Sequence, residues 1–228
     1  MPTALVVGAS SGIGLAVARR LVGRDWTVIG IARRASELAD DRYRHVQADV
    51  RAPDYRATLQ AALGTTVPEV CIYCAGIGTD LDLGDLGGEA DVFTTNLVGA
   101  VLTAEVVIPR MIEARTGHFV GLSSQADGLT DGGAPSYAAS KAGLSSYLEG
   151  LARACRPRGV AVTNVRFGFV DTAMSSGSLR PFMISADRAA ALVERCLERR
   201  PIRFTHPWRM AALLWLLQWG RRLMFWRP

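Results

Sequence analysis

Lysine is all but missing from this 228-residue chain: 25 of its 26 Lys and Arg residues are arginine, and Lys141 stands alone. Arginine cannot replace an ammonium where a compact, tunable charge is needed, so the one surviving lysine asks for a chemical reason. Histidine and cysteine are scarce too, at three and four residues. His45, His118 and His206 show no ligand spacing. Cys71-x-x-Cys74 lies in a predicted strand, where residues three apart face opposite sides and their sulfurs cannot converge. No metal site is expected. Acid is absent beyond Glu198, and Arg203, Arg209, Arg221, Arg222 and Arg227 by themselves equal the formal net charge of +5. The body of the chain is therefore close to neutral, which argues against a nucleic-acid-binding face. No secretory n-region or h-region opens the sequence, so a reducing, cytoplasmic setting is expected.

What the chain does have is an alternation of short apolar runs and longer helical stretches. Apolar residues at 49% and charged residues at 21% are ordinary for a folded domain of this length. Strands are predicted at 3–7, 26–31, 43–47, 70–74, 119–122, 160–167 and, more briefly, 202–205. Helices are predicted from the first glycine turn to about Leu21, then over 53–63, 90–115, 136–154 and 185–199, the last capped by Ser185. Strands separated by helices imply βαβ units, hence an α/β fold: one doubly wound, Rossmann-type domain with helices on both faces of a parallel sheet. That domain is assigned residues 1–206, with 207–228 as an amphipathic tail helix.

Three motifs carry chemistry. Gly8-Ala9-Ser10-Ser11-Gly12-Ile13-Gly14 sits where the first strand turns into the first helix, a place suited to a pyrophosphate at a helix N-terminus. At the end of the second strand, where dinucleotide-binding folds often place an acid on the ribose, this chain has Arg33 and Arg34. Guanidinium groups there suit a 2′-phosphate, so NADP(H) is favoured over NAD(H). Tyr137 and Lys141 lie at i and i+4 on one helix face. A free phenol, with a pKa near about 10, is a poor base; a neighbouring ammonium, with an oxidised nicotinamide beside it, would favour its ionised form and let it exchange a proton with a substrate oxygen. Ser124, 13 residues before Tyr137, closes a predicted strand at the sheet edge where α/β folds bind ligands; Ser123 is its competitor, pointing the other way.

With these residues in order, the chain resembles the short-chain dehydrogenase/reductases over residues 3 to about 205. The match comprises the Gly8/Gly12/Gly14 turn, Asp49-Val50, Cys74-Ala75-Gly76, Asn96, Ser124, Tyr137 with Lys141, and Gly168 with Thr172. The resemblance implies about seven strands in the order 3-2-1-4-5-6-7. It implies that Tyr137 is the acid/base, that Ser124 orients the substrate, and that Lys141 holds the nicotinamide ribose and lowers the phenol pKa. Asn96 would support a water-linked proton relay, Asp49 would touch the adenine, and Val170 and Thr172 the carboxamide end. Two departures stand out: Tyr73-Cys74-Ala75-Gly76 replaces the usual Asn-Asn-Ala-Gly, and Phe167-Gly168 the usual Pro-Gly.

The expected reaction is interconversion of a carbonyl compound and an alcohol. Phe169, Phe182 and Met183 around the loop from Ala173 to Met183 suggest an apolar substrate. From Trp208 to Trp226 the tail carries four of the five tryptophans, and its apolar run from Met210 to Leu217 is eight residues, too short to span a membrane. Such a helix could cover the substrate cleft, pack on a partner subunit or lie in a membrane interface. A homo-oligomer is expected. The rival readings are a non-catalytic NADP(H) sensor and a peripheral membrane protein on the same fold.

Overall fold

The computed structural model describes residues 1–130, 132–174 and 180–214. Seven strands form one parallel sheet: β1 (Thr3–Val7), β2 (Thr27–Ala32), β3 (Tyr43–Gln47), β4 (Val70–Tyr73), β5 (His118–Ser124), β6 (Ala161–Phe167) and, last in the chain, β9 (Arg203–His206). Their order is β3-β2-β1-β4-β5-β6-β9, the expected winding. A two-residue pair outside the main sheet, β7 (Val170–Asp171) with β8 (Ile184–Ser185), precedes the seventh strand. The helices are α1 (Gly12–Val22), α2 (Tyr55–Leu63), α3 (Glu89–Phe93), α4 (Gly99–Glu113), α5 (Pro135–Cys155) and α6 (Ala186–Arg199).

The period-two alternation of the strands builds two cores. Leu5 and Val7 join Tyr73, Phe119 and Leu148 on one face, while Ala4, Val6, Ile72 and Val120 pack under α1 and α6 on the other. Burial on both faces explains why these strands read as continuous apolar runs. The strand order changes direction between β1 and β4, so the connections leaving their carboxyl ends run to opposite sides and open a crevice, the usual ligand position in open α/β sheets.

Two boundaries differ from expectation. β5 runs on through Ser123 and Ser124 because they pair with Arg166 and Phe167 of β6, a partner that local sequence does not reveal. The long helix predicted at 90–115 is α3 and α4 joined by a π-helical turn, Thr94–Val98. It is apolar and long enough to cross a membrane, but 56% of its most apolar window is buried in the fold.

His118 shows how the core tunes a titratable group. Thr163 donates to the Pro201 carbonyl, so His118 Nε2 must donate to Thr163 Oγ1, 2.8 Å away. Nδ1 is left bare and buried. Protonating it would strand a charge, and burial lowers the pKa to about 4. The unfolded chain takes up this proton near pH 6.5, the folded one only near 4, so stability is full above that range and lost through it. A loss of about 3 kcal/mol is expected on acidification, read by urea unfolding at several pH values. His118→Gln should flatten this slope; an unchanged slope would assign it elsewhere.

Candidate active site

The glycine turn is bare because it has no room for side chains. A Cβ on Gly14 would lie 2.2 Å from the Gly8 carbonyl oxygen, and one on Gly8 2.6 Å from the Ala75 nitrogen. Gly8 and Gly12 also adopt positive φ, at 88° and 54°. Ser11, the α1 N-cap, makes no side-chain cap, and the first turn of the helix holds no acid. The N-terminal amides of α1 therefore face the crevice as an anion site. Arg34 reaches the same turn, its Nη2 donating to Ser11 Oγ at 3.1 Å. Arg33 lines an adjoining pocket of about 360 Å³ with Gln47, Ala48, Asp49, Asp54 and Thr58. Asp49 is held ionised chiefly by its hydrogen bonds from Arg51. Thr172 closes the turn from the opposite side, 3.1 Å from where a Gly12 Cβ would stand.

At the other end of the crevice, Ser124 extends from β5 with its Oγ accepting the Ala126 N–H at 3.1 Å. The Tyr137 phenol lies close enough for the Ser124 hydroxyl to favour its ionised form. Ser123, as alternation requires, turns towards α5 and donates to the Lys141 carbonyl. Pro135 at the start of α5 fixes where the helix begins, and one turn separates Tyr137 from Lys141.

Lys141 is 5% exposed and donates Nζ to the Leu122 carbonyl at 2.9 Å. Its nitrogen lies over the Tyr137 ring, 5.7 Å from the ring centre. Burial lowers the ammonium pKa to about 8. Tyr137 departs from expectation: burial raises its pKa, and the opposing influence is the Ser124 hydrogen bond. With the ammonium committed to Leu122, the phenol keeps its proton at neutral pH.

Asn96, in the π turn, is fully buried. Its amide clasps Ile77, accepting from that N–H at 2.8 Å and donating to the carbonyl at 2.9 Å, and it also donates to Ser140 Oγ at 3.0 Å. Ser140 donates to the Tyr137 carbonyl, so Asn96 ties the loop after β4 to the helix turn bearing the phenol. A Cβ on Gly76 would meet Asn96, Lys141 and Met174, and one on Gly78 would press on the Tyr137 ring at 3.3 Å.

Several residues singled out from sequence thus stand close together: Gly8 and Gly14 with Cys74 and Ala75, Gly12 with Thr172, Ser11 with Arg34, Arg33 with Asp49, and Gly76 with Asn96 and Lys141, while Ile13 packs against the core. Val50 is different, its side chain being buried in the core against Gly99. Cys74 tucks beneath Gly14, and burial lifts its thiol to about 12. Cys71 belongs to the opposite core, and all four cysteines are free. Gly168 is covered by Met210, and Val170 is buried in β7. Sequence reasoning missed Gly78, Gln125, Asp127 and Arg166; an arginine within the apolar run of β6 was the one readable sign.

The arrangement can seat a dinucleotide phosphate on bare backbone and present a protonated phenol, a hydroxyl and an ammonium to a polar group beside it. Comparison with known proteins agrees. The short chain dehydrogenase family model matches residues 2–180. An uncharacterized oxidoreductase of Myxococcus xanthus is 32% identical over 92% of this chain and 89% of its own. The 3-oxoacyl-(acyl-carrier-protein) reductase FabG of Escherichia coli is 32% identical over 75% of each. A short-chain dehydrogenase from Sphingobium yanoikuyae, solved with NADPH, superposes with a TM-score of 0.83 over 100% of this chain and 97% of its own, at 24% identity. By matched family, relatives and fold, the chain belongs to the short-chain dehydrogenases and is an oxidoreductase.

Proposed function

We propose that this protein is an NADP(H)-preferring reductase of apolar ketones or aldehydes, with Tyr137 as its proton donor. The observation that carries the reading is a half-buried phenol, packed against Gly78 and kept protonated by its surroundings, with the Ser124 hydroxyl near enough to influence it. A dinucleotide fits this chain because the Gly8–Gly14 turn leaves no Cβ in the way and the α1 N-terminus lacks a side-chain cap. When bound, the nicotinamide supplies the hydride. Ser124 would hold the substrate oxygen, and Tyr137 would donate its proton as charge develops there. Lys141, released from the Leu122 carbonyl, would stabilise the phenolate left behind. Asn96 would keep the loop after β4 in register with these groups.

An apolar substrate is supported by Met174, Phe182 and Met183, all more than a third exposed, with Met174 reaching Gly76. The tail begins on the same side. Gln125 donates to the Pro207 carbonyl at 3.1 Å, and Met210 packs onto Gly168. We read residues 207–214 as an accessory wall to the domain at 1–206; the tail as far as Pro228, on which the membrane and subunit readings depend, lies outside the described residues. Tyr137 and Lys141 are both retained, which speaks against a cofactor sensor without catalysis. Four free cysteines suit a reducing cytoplasm. The test is a panel of ketones and aldehydes with NADPH, followed by loss of reduced-cofactor absorbance. Turnover on apolar carbonyls supports the reading; none on any member refutes it.

Cofactor choice rests on Arg33 and Arg34. Each charge-assisted contact to a 2′-phosphate contributes roughly 1.5–3 kcal/mol. Replacing both by alanine is expected to weaken NADPH by roughly 10²–10⁴-fold while leaving NADH almost unchanged. Dinucleotide titration by fluorescence would show it; equal losses for both cofactors would contradict the assignment.

A further inference from the structure

The helix ridge bearing Tyr137 and Lys141 does not end with them. Ser145 and Glu149 continue it at i+4 steps, and both are fastened to the sheet by polar contacts. Glu149 accepts from Asn164 on β6 at 2.9 Å and from Arg203 on β9 at 2.6 Å. Ser145 donates to Asp127 Oδ2 at 2.5 Å and lies 2.6 Å from Ser123 Oγ. Arg166 grips both oxygens of Asp127, with Nε 2.6 Å from Oδ2 and Nη2 on Oδ1. In the strand register Arg166 stands between Ser123 and Thr205, and it reaches Thr205 Oγ1 at 3.3 Å.

The Arg166 and Asp127 side chains are only 16% and 7% exposed. A pair this buried gains little stability over apolar side chains of equal bulk, because desolvation offsets the attraction. What the two-pronged contact does supply is geometry, since it fixes distance and orientation together. Asp127 lies three residues beyond Ser124 in the same turn, and Ser145 four beyond Lys141 in the same helix. One carboxylate therefore joins the strand end that carries Ser124 to the helix that carries Tyr137. With the Ser145 proton committed to Asp127, the single Ser123 proton is shared between the Ser145 oxygen and the more distant Lys141 carbonyl, both on α5.

We infer that the Asp127–Arg166 pair positions the Ser124 hydroxyl against Tyr137, acting through the turn and the helix without touching substrate. The inference rests on the proposed role of Tyr137, and its test has a readout that needs no turnover. Asp127→Asn keeps the bulk and removes the charge. It is expected to lower kcat roughly tenfold to a hundredfold, with NADPH affinity held, because a small displacement at the reacting groups is enough. Arg166→Lys, which keeps the charge but loses the fork, should show a smaller loss than Asp127→Asn. In full-length protein carrying 13C-labelled tyrosine, with and without NADP+, the Tyr137 titration should move upward in Asp127→Asn as Ser124 drifts away. Ser145→Ala leaves the ion pair intact and should shift the same titration less, which decides the matter if Asp127→Asn does not fold. Wild-type kcat together with a wild-type Tyr137 titration in the variants would overturn the inference. A wild-type protein that reduces no carbonyl would instead overturn the proposed function, and the titration alone would then decide the positioning role.

Discussion

Tyr137→Phe is expected to lower kcat by roughly 10²–10⁴ while leaving dinucleotide affinity in place, the range set by loss of a positioned general acid. The ring is half-buried and flanked by Gly78, so phenylalanine fills the same space. The change removes one hydrogen bond, that from Ser124, and should cost about 1 kcal/mol of stability or less. Turnover and affinity are thereby separated: steady-state kinetics reads the first, fluorescence titration of NADPH the second. The pH dependence has a matching sign. Burial raises the phenol pKa, so the acid form persists through neutrality, and reduction should fail only on the alkaline side. A variant that keeps wild-type kcat would show that another group delivers the proton.

Lys141→Met is expected to raise the melting temperature as it removes activity. The ammonium is buried, and its pKa falls from 10.5 to about 8, mostly through desolvation. Folding therefore carries a penalty of about 3 kcal/mol at neutral pH, full below pH 8 and relieved as pH rises towards the unfolded value of 10.5. Methionine has similar length and no charge, so the penalty disappears, while the Leu122 carbonyl loses a donor worth about 1 kcal/mol. A net gain of about 1–2 kcal/mol should appear as a rise of roughly 2–8 °C for a domain of this size. Calorimetry of the cofactor-free protein measures it. A lower melting temperature would mean that Lys141 is a structural residue kept for packing. Its solitary place among 25 arginines fits instead a group kept for chemistry at some expense of stability.

Strictly local patterns carried the fold into view. Alternating apolar runs gave the strands, the Gly8–Gly14 spacing gave the first turn, and Tyr137 with Lys141 gave the face of α5. What stayed hidden depends on partners distant in the chain. Ser123 and Ser124 extend β5 only because β6 lies beside them, 43 positions away at each paired residue. The π turn at Thr94–Val98 has nothing in its residues to separate it from an ordinary helix, and it forms where Asn96 bonds across to Ile77 and Ser140. Asp127 and Arg166 are 39 residues apart and read singly as a loop acid and an odd strand arginine. The expectation that Lys141 would acidify Tyr137 followed from spacing on a helix face. Spacing brings the two side chains together but does not say that the ammonium will bond to the Leu122 carbonyl.

The fate of a label separates these possibilities most directly. The protein would be given an apolar ketone and NADPH carrying deuterium at both C4 positions, and the alcohol examined by mass spectrometry and NMR. If Tyr137 protonates the oxygen while hydride reaches carbon, one deuterium appears on the carbinol carbon and the hydroxyl proton comes from solvent. An alcohol free of deuterium, or no alcohol from any carbonyl offered, would contradict reduction at this site.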